Sequence, residues 1–247
     1  MKTLLQIVQD ILNDIDSDEV NSIDDTVESQ QVAQIVRTCY EEMMSNRNWP
    51  HTRKLVQLDG LSSTAKPNYL KLPENLKELV FVKYETQKQG DTRTILTELN
   101  YKYPDDFLRI TSGRNSDNDN VSVITDYSGS KLMIYNDKPP SYWTSFDDVH
   151  LVCDAWDSSV DNTLMSSKSQ CLAYIFPSWV HEDEAVPDLP VDAFSALIEE
   201  AKSTAFVSLK QMNNPKAEQK AMRQQKWLSR KAWRAKGGIR YPNFGRK

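Results

Sequence analysis

Apolar residues recur with helical spacing at both ends of this chain and with the shorter period of strands in its middle. From Gln30 onward Val32, Ile35, Val36, Cys39, Tyr40 and Met43 follow the i, i+3, i+4, i+7 pattern, which lays one stripe against a core. Ser22, with Asp24, Asp25 and Glu28 after it, supplies capping oxygens and negative charge for the start of that helix. Pro50 stops it, because the residue before a proline is pushed out of the helical region, so closure is expected at Asn48 and Trp49. An earlier segment, Thr3 to Ile15, places Leu4, Leu5, Val8, Ile11, Leu12 and Ile15 on one face. The two segments predict an antiparallel helical hairpin joined by an acidic loop.

From His51 to about Phe176 the pattern shortens to runs rich in β-branched and aromatic residues: LVQLDG, NYLKLP, ELVFVKYE, VSVITDYSG, KLMIYND, SYWTSF and VHLVCDAW. Asp59-Gly60, Gln89-Gly90, Ser112-Gly113, Ser128-Gly129 and Lys138-Pro139-Pro140 separate them as turn signals, which predicts hairpins in an antiparallel sheet. Pro104, followed by Asp105 and Asp106, predicts the start of a short helix. The stretch RNSDNDN from Arg114 to Asn120 is polar enough to read as a mobile loop.

Helical spacing returns after Leu189, where Phe194, Leu197, Ile198, Ala201, Ala205, Leu209 and Met212 share a face. Asp188 or Pro190 starts this helix and Asn213-Asn214-Pro215 ends it. Pro215 suits the first position of a further helix, where its missing N–H would be unpaired in any case. That helix aligns Lys216, Lys220, Arg223, Arg230 and Arg234 near one stripe with Trp227, and Ala217, Ala221, Leu228 and Ala235 give it only a thin apolar face. Gly237-Gly238 breaks it ahead of an extended IRYPNFGRK. The reading is an α+β chain: an N-terminal helical hairpin over 1–50, a large antiparallel β-rich insertion over 51–176, C-terminal helices over 177–236 packing on the hairpin as a core bundle, and an extended basic tail over 237–247. Val32, Ile35, Val36, Cys39, Trp49, Phe194, Leu197 and Ile198 are the expected core of the helical part.

Charge sharpens this picture. Between Lys210 and Lys247 twelve Lys or Arg face the single acid Glu218, so this arm carries +11 of a formal net charge of -5 and the rest carries -16. An acidic body ending in a basic arm implies that the arm meets something negative, either nucleic acid or an acidic protein groove. Trp227, Trp233, Tyr241 and Phe244 lie among those charges, where rings can stack on bases or anchor the arm in a groove. No apolar run approaches the roughly 18 residues of a membrane helix. MKTLLQIVQDILNDID interrupts its apolar positions with Gln and Asp, unlike a signal peptide. Cys39, Cys153 and Cys171 are odd in number and widely spaced, which suits a reducing, cytoplasmic setting and no disulfide framework.

Candidate chemistry is sparse. His51, His150 and His181 lack metal-ligand spacing, and no phosphate loop, GxGxxG or GxSxG occurs. The acid pairs Asp105-Asp106, Asp147-Asp148 and Glu199-Glu200 have no second catalytic group beside them in sequence, so they read as solvated surface. The sequence predicts neither an enzyme nor a cofactor.

A helical hairpin ending in Arg47-Asn48-Trp49, a β-rich insertion, a return helix, and a charged helix with an extended tail resembles the head-to-tail adaptor proteins of short-tailed bacteriophages, the tail tubular protein A family. The resemblance spans the chain and is clearest over Val20 to Trp49 and Leu189 to Lys247. It implies a structural virion protein of the phage tail, assembled in the host cytoplasm as a homo-oligomeric ring of twelve copies. Its implied partners are the portal protein above and the tail nozzle, tail tubular protein B, below, with tail fibres as a further contact. Portal docking would fall to Trp227, Arg230, Trp233, Arg234, Lys236, Ile239, Arg240, Tyr241, Phe244, Arg246 and Lys247, and the region His51 to Phe176 would face tailward. Double-stranded DNA would pass through the ring without specific binding, past an acidic wall that repels its phosphates. The alternative from the residues themselves is a nucleic-acid-binding protein that grips phosphates with the basic C-terminal helix and tail.

Overall fold

The structure, a computed structural model, describes residues 1–86, 93–212 and 214–235, with side chains through Ser229. The chain is α+β and divides into two compact units: Met1–Thr52 together with the chain from Pro177 onward, and Arg53–Phe176.

In the first unit, helix α1 spans Leu4–Asp14 because Thr3 and Gln6 cap each other reciprocally, Gln6 N–H donating to Thr3 Oγ1 at 3.3 Å and Thr3 N–H to Gln6 Oε1 at 3.2 Å. Leu4, Ile7, Val8, Ile11 and Leu12 are buried. Helix α2 spans Val27–Asn46 and starts later than expected. The cap is Thr26, whose Oγ1 accepts from Ser29 N–H at 3.0 Å. Asp25 instead closes the preceding turn, accepting from the backbone of Asn21 and Ser22 at 2.7 and 2.9 Å. Helix α4, Phe194–Lys210, follows a short turn over Val191–Ala193. It ends at Gln211, which takes a left-handed φ of 52°, before Asn213-Asn214-Pro215. Met212 therefore lies past the helix and is 62% exposed, not on its buried face. Helix α5, Pro215–Ala235, has Pro215 as its first residue, and Asn214 Oδ1 accepts from Ala217 N–H at 3.2 Å. Ala217, Ala221 and Leu228 are buried, a firmer seat on α4 than the thin stripe suggested. Small residues at two of these positions permit close approach of the helix backbone to its neighbour.

Val32, Val36, Cys39, Trp49, Phe194 and Leu197 are buried, whereas Ile35 and Ile198 are half-buried at the margin. Of the α4 face, Leu209 is also half-buried, and of the α1 face Leu5.

The second unit is built on an eight-stranded sheet. Its strands are β1 (Arg53–Val56), β2 (Asp59–Gly60), β3 (Tyr69–Lys71), β4 (Leu76–Glu85), β5 (Leu96–Tyr101), β8 (Tyr142–Thr144), β9 (His150–Cys153) and β10 (Ser169–Ile175). Their order is β1-β10-β4-β5-β8-β9-β3-β2. Between β5 and β8 the chain forms helix α3 (Pro104–Ser112) and a separate hairpin of β6 (Val121–Thr125) and β7 (Lys131–Tyr135). Pairing is antiparallel with one correction to the expected pattern: β5 and β8 run parallel, because α3 and the hairpin carry the chain across before it returns. Asp59-Gly60 is not a turn but strand β2, paired with Leu70 and Lys71. Gly60 is needed there because a Cβ would lie 2.7 Å from the Leu164 carbonyl oxygen. Ser112-Gly113 ends α3 instead of turning a hairpin, while Gly129, at φ 84°, does close β6 onto β7. Gln89-Gly90 lies outside the described residues. The core gathers Tyr69, Leu70, Phe107, Ile134, Leu151 and Cys153, with contributions from the sheet, the β6–β7 hairpin and α3.

Candidate functional site

Arg47-Asn48-Trp49 forms a locked helix end. Trp49 is 4% exposed and its indole N–H donates to the Met43 carbonyl at 2.8 Å, satisfying one of the acceptors that a helix C-terminus leaves open. The Arg47 guanidinium lies over the Trp49 ring, 5.1 Å from its centroid. Burial pulls Arg47 below its ordinary value. His51 Nε2 lies 3.0 Å from the Asp188 carbonyl, and its ring is 6.0 Å from that of Trp49. These side chains fix the path of the chain as it leaves α2.

The basic arm starts on α5. Lys216, Lys220, Arg223 and Lys226 are exposed, as is Trp227, at 49%. Lys220 pairs with Glu199 of α4, and Gln225 Nε2 donates to Glu200 Oε2 at 3.3 Å, so polar ties flank the buried Ala217–Ala221–Leu228 seam. Burial raises the Glu200 carboxyl, and the neighbouring charges of Glu42 and Glu218 add to the rise. Of the expected docking residues, Trp227 is the one whose side chain is described. Arg230, Trp233 and Arg234 lie on α5 with their side chains outside the description, and Lys236, Ile239, Arg240, Tyr241, Phe244, Arg246 and Lys247 lie outside the described residues.

Within the first two acid pairs Asp106 and Asp147 serve local structure, while Asp105 and Asp148 are exposed. Asp106 binds Arg109 at 2.7 Å at the start of α3. Asp147 Oδ1 accepts from the Val149 and His150 backbones at 3.0 and 2.8 Å, and its Oδ2 meets His150 Nδ1 at 2.6 Å. Burial raises all three cysteine thiols, Cys39 and Cys171 to about 11, which leaves them protonated and poorly nucleophilic. Among the described residues no group of three or more His, Cys, Asp or Glu is placed to hold a metal ion. No described helix is long and apolar enough to cross a membrane.

Sequence reasoning missed Arg114. Read as part of a mobile polar loop, it has a buried side chain: its guanidinium donates to the carbonyls of Met133 and Asp154 at 3.1 and 2.6 Å and to Asp154 Oδ2 at 3.1 Å, and lies 4.0 Å from the Tyr135 ring centroid. Asp154 Oδ1 in turn accepts from Ser141 and Tyr142 N–H at 2.9 and 2.8 Å. One arginine thus ties the β6–β7 hairpin to the β8–β9 end of the sheet. Nothing in RNSDNDN distinguishes a buried Arg from a solvated one. No protein-family model matches this sequence, and no curated protein matches it either.

Proposed function

We propose that this protein is a structural head-to-tail adaptor of a short-tailed bacteriophage. Twelve copies form a ring between portal and tail nozzle, with the helices of both chain ends forming a bundle around the DNA channel. The C-terminal arm docks on the portal protein, and the β-rich unit faces the nozzle and fibres. The observation that carries this reading is the way α5 is presented. Three buried positions hold it on α4, while Lys216, Arg223, Lys226 and Trp227 remain on the surface ahead of a tail with four more cations, Lys236, Arg240, Arg246 and Lys247. A helix seated on one side and charged and aromatic on the other suits a partner with an acidic, ring-accepting groove. Asp106, Asp147 and Glu199 are each engaged within the chain, in a turn or an ion pair.

Removing 236–247 tests the assignment of the tail. The truncated protein is expected to keep the melting temperature of the full chain, because none of the buried core named above is lost, and to fail to co-sediment with portal rings. Portal assembly by the truncated protein would overturn this assignment.

A further inference from the structure

The second unit contains an opening inside its sheet. Strand β4 is ten residues long and pairs with β10 from Leu76 to Tyr84, its register shifting between the Phe81 and Leu79 pairs and again between the Glu78 and Leu76 pairs. On its other side β5 accompanies it only over Val82–Glu85. Beyond Leu99, β5 turns to β8, Asn100 N–H donating to Ser141 O at 3.0 Å and Lys102 N–H to Trp143 O at 2.9 Å. The two strands therefore splay. Among the described residues no strand pairs with Leu79–Phe81 on the β5 side.

The space between them is a cleft of about 830 Å³, within the roughly 300–1,000 Å³ typical of ligand clefts. Its β4 wall includes Val80, 41% exposed, and Phe81. The opposite wall includes Asn100, Tyr101 and Trp143. Tyr101 is 47% exposed and meets Trp143 edge-on at 4.9 Å, so the ring is braced but available. Glu78, Glu98 and Asp148 also line the cleft, against one cation, Lys77. An open strand edge is a template for a further strand, apolar side chains reward burial, and the excess of carboxylates selects cations.

We propose that this cleft takes up an extended, positively charged segment of another polypeptide as a strand added to β4. Main-chain hydrogen bonds to β4 supply affinity, apolar residues of the segment cover Val80 and Tyr101, and its Lys or Arg residues meet Glu98 and Asp148. The inference rests on the second unit alone and is independent of the adaptor reading.

The test uses the full chain and a fluorescent synthetic peptide that alternates valine with lysine, followed by anisotropy at low salt. Saturable binding is expected for this peptide and not for its valine–glutamate counterpart. Methylating alternate backbone nitrogens should abolish binding in one of the two phases, because only one set of N–H groups faces β4. Joint charge reversal by Glu98→Lys and Asp148→Lys should weaken the cationic peptide about fivefold, the size expected for two exposed ion pairs, with near-ultraviolet circular dichroism reporting the fold. Absence of saturable binding, equal binding of the glutamate peptide, or full binding by peptides methylated in both phases would overturn the proposal. The methylation arm uses the unaltered protein, so a misfolded variant leaves it decisive.

Discussion

Replacing Arg114 with Met probes the polar centre of the β-rich unit. The side chains of Arg114 and Asp154 are 5% and 4% exposed, so bulk water screens neither. Met preserves much of the apolar stem of Arg114 but removes the hydrogen bonds to Met133 O, Asp154 O and Asp154 Oδ2, together with the stacking on Tyr135. The Asp154 carboxylate keeps its bonds from Ser141 and Tyr142 N–H and loses its counter-charge. Breaking one side of a buried pair in this way costs about 3–5 kcal/mol, a large part of the roughly 5–15 kcal/mol that holds a domain folded. Urea unfolding followed by near-ultraviolet circular dichroism measures the loss. Asp154→Asn, which retains an acceptor but no charge, should lose less when combined with Arg114→Met than the two single losses added together, since both act on one network. A loss below about 1 kcal/mol for Arg114→Met would show that the pair behaves like a solvated one and would refute the reasoning.

Two further predictions concern pH. Burial alone would raise the Asp126 carboxyl, but hydrogen bonds from the Ser128 backbone, the Tyr69 hydroxyl and the Ser128 side chain hold it at about 2 against an ordinary 3.8. Its contribution to stability is therefore present above the ordinary value and lost as pH falls through about 2. Asp126→Asn should be less stable than the parent by about 1 kcal/mol near neutrality, with the gap closing toward pH 2 in thermal melts; a pH-independent gap would contradict this. Glu200 behaves oppositely: burial and Glu42 and Glu218 raise it above 4.5, so the folded state loses stability as pH rises from that value through the folded one. Glu200→Gln should raise the melting temperature near neutrality and have little effect below pH 4.5, and an equal gain at both would point away from charge.

Local signals in the sequence located several elements well. Pro104 with its two acids starts α3, Pro215 starts α5, and Gly129 closes the β6–β7 hairpin, because each of these residues restricts or permits backbone angles on its own. The start of α2 was displaced because Ser22, Asp25 and Thr26 all offer capping oxygens, and only the fold decides that Thr26 reaches a helical N–H while Asp25 is used in a turn. Strand partners were less legible than strands. Period-two alternation marks a buried face but does not say that β5 leaves β4 after four pairs and joins β8 in parallel. The Arg114–Asp154 network was illegible for the same reason, since the burial of a charge depends on residues forty positions away. In the basic arm, charge and aromatic content were evident, and the seat of α5 on α4 depended on how close an Ala217–Ala221 edge can come to its neighbour.

The most direct test of the adaptor reading is sedimentation of the purified full-length protein with portal rings and, separately, with duplex DNA, at low and at physiological salt. The account predicts a stoichiometric ring on the portal, and DNA binding that is weak and lost at physiological salt as counterions compete for the arm. Tight DNA binding without portal association would contradict it and identify the basic arm as a phosphate clamp.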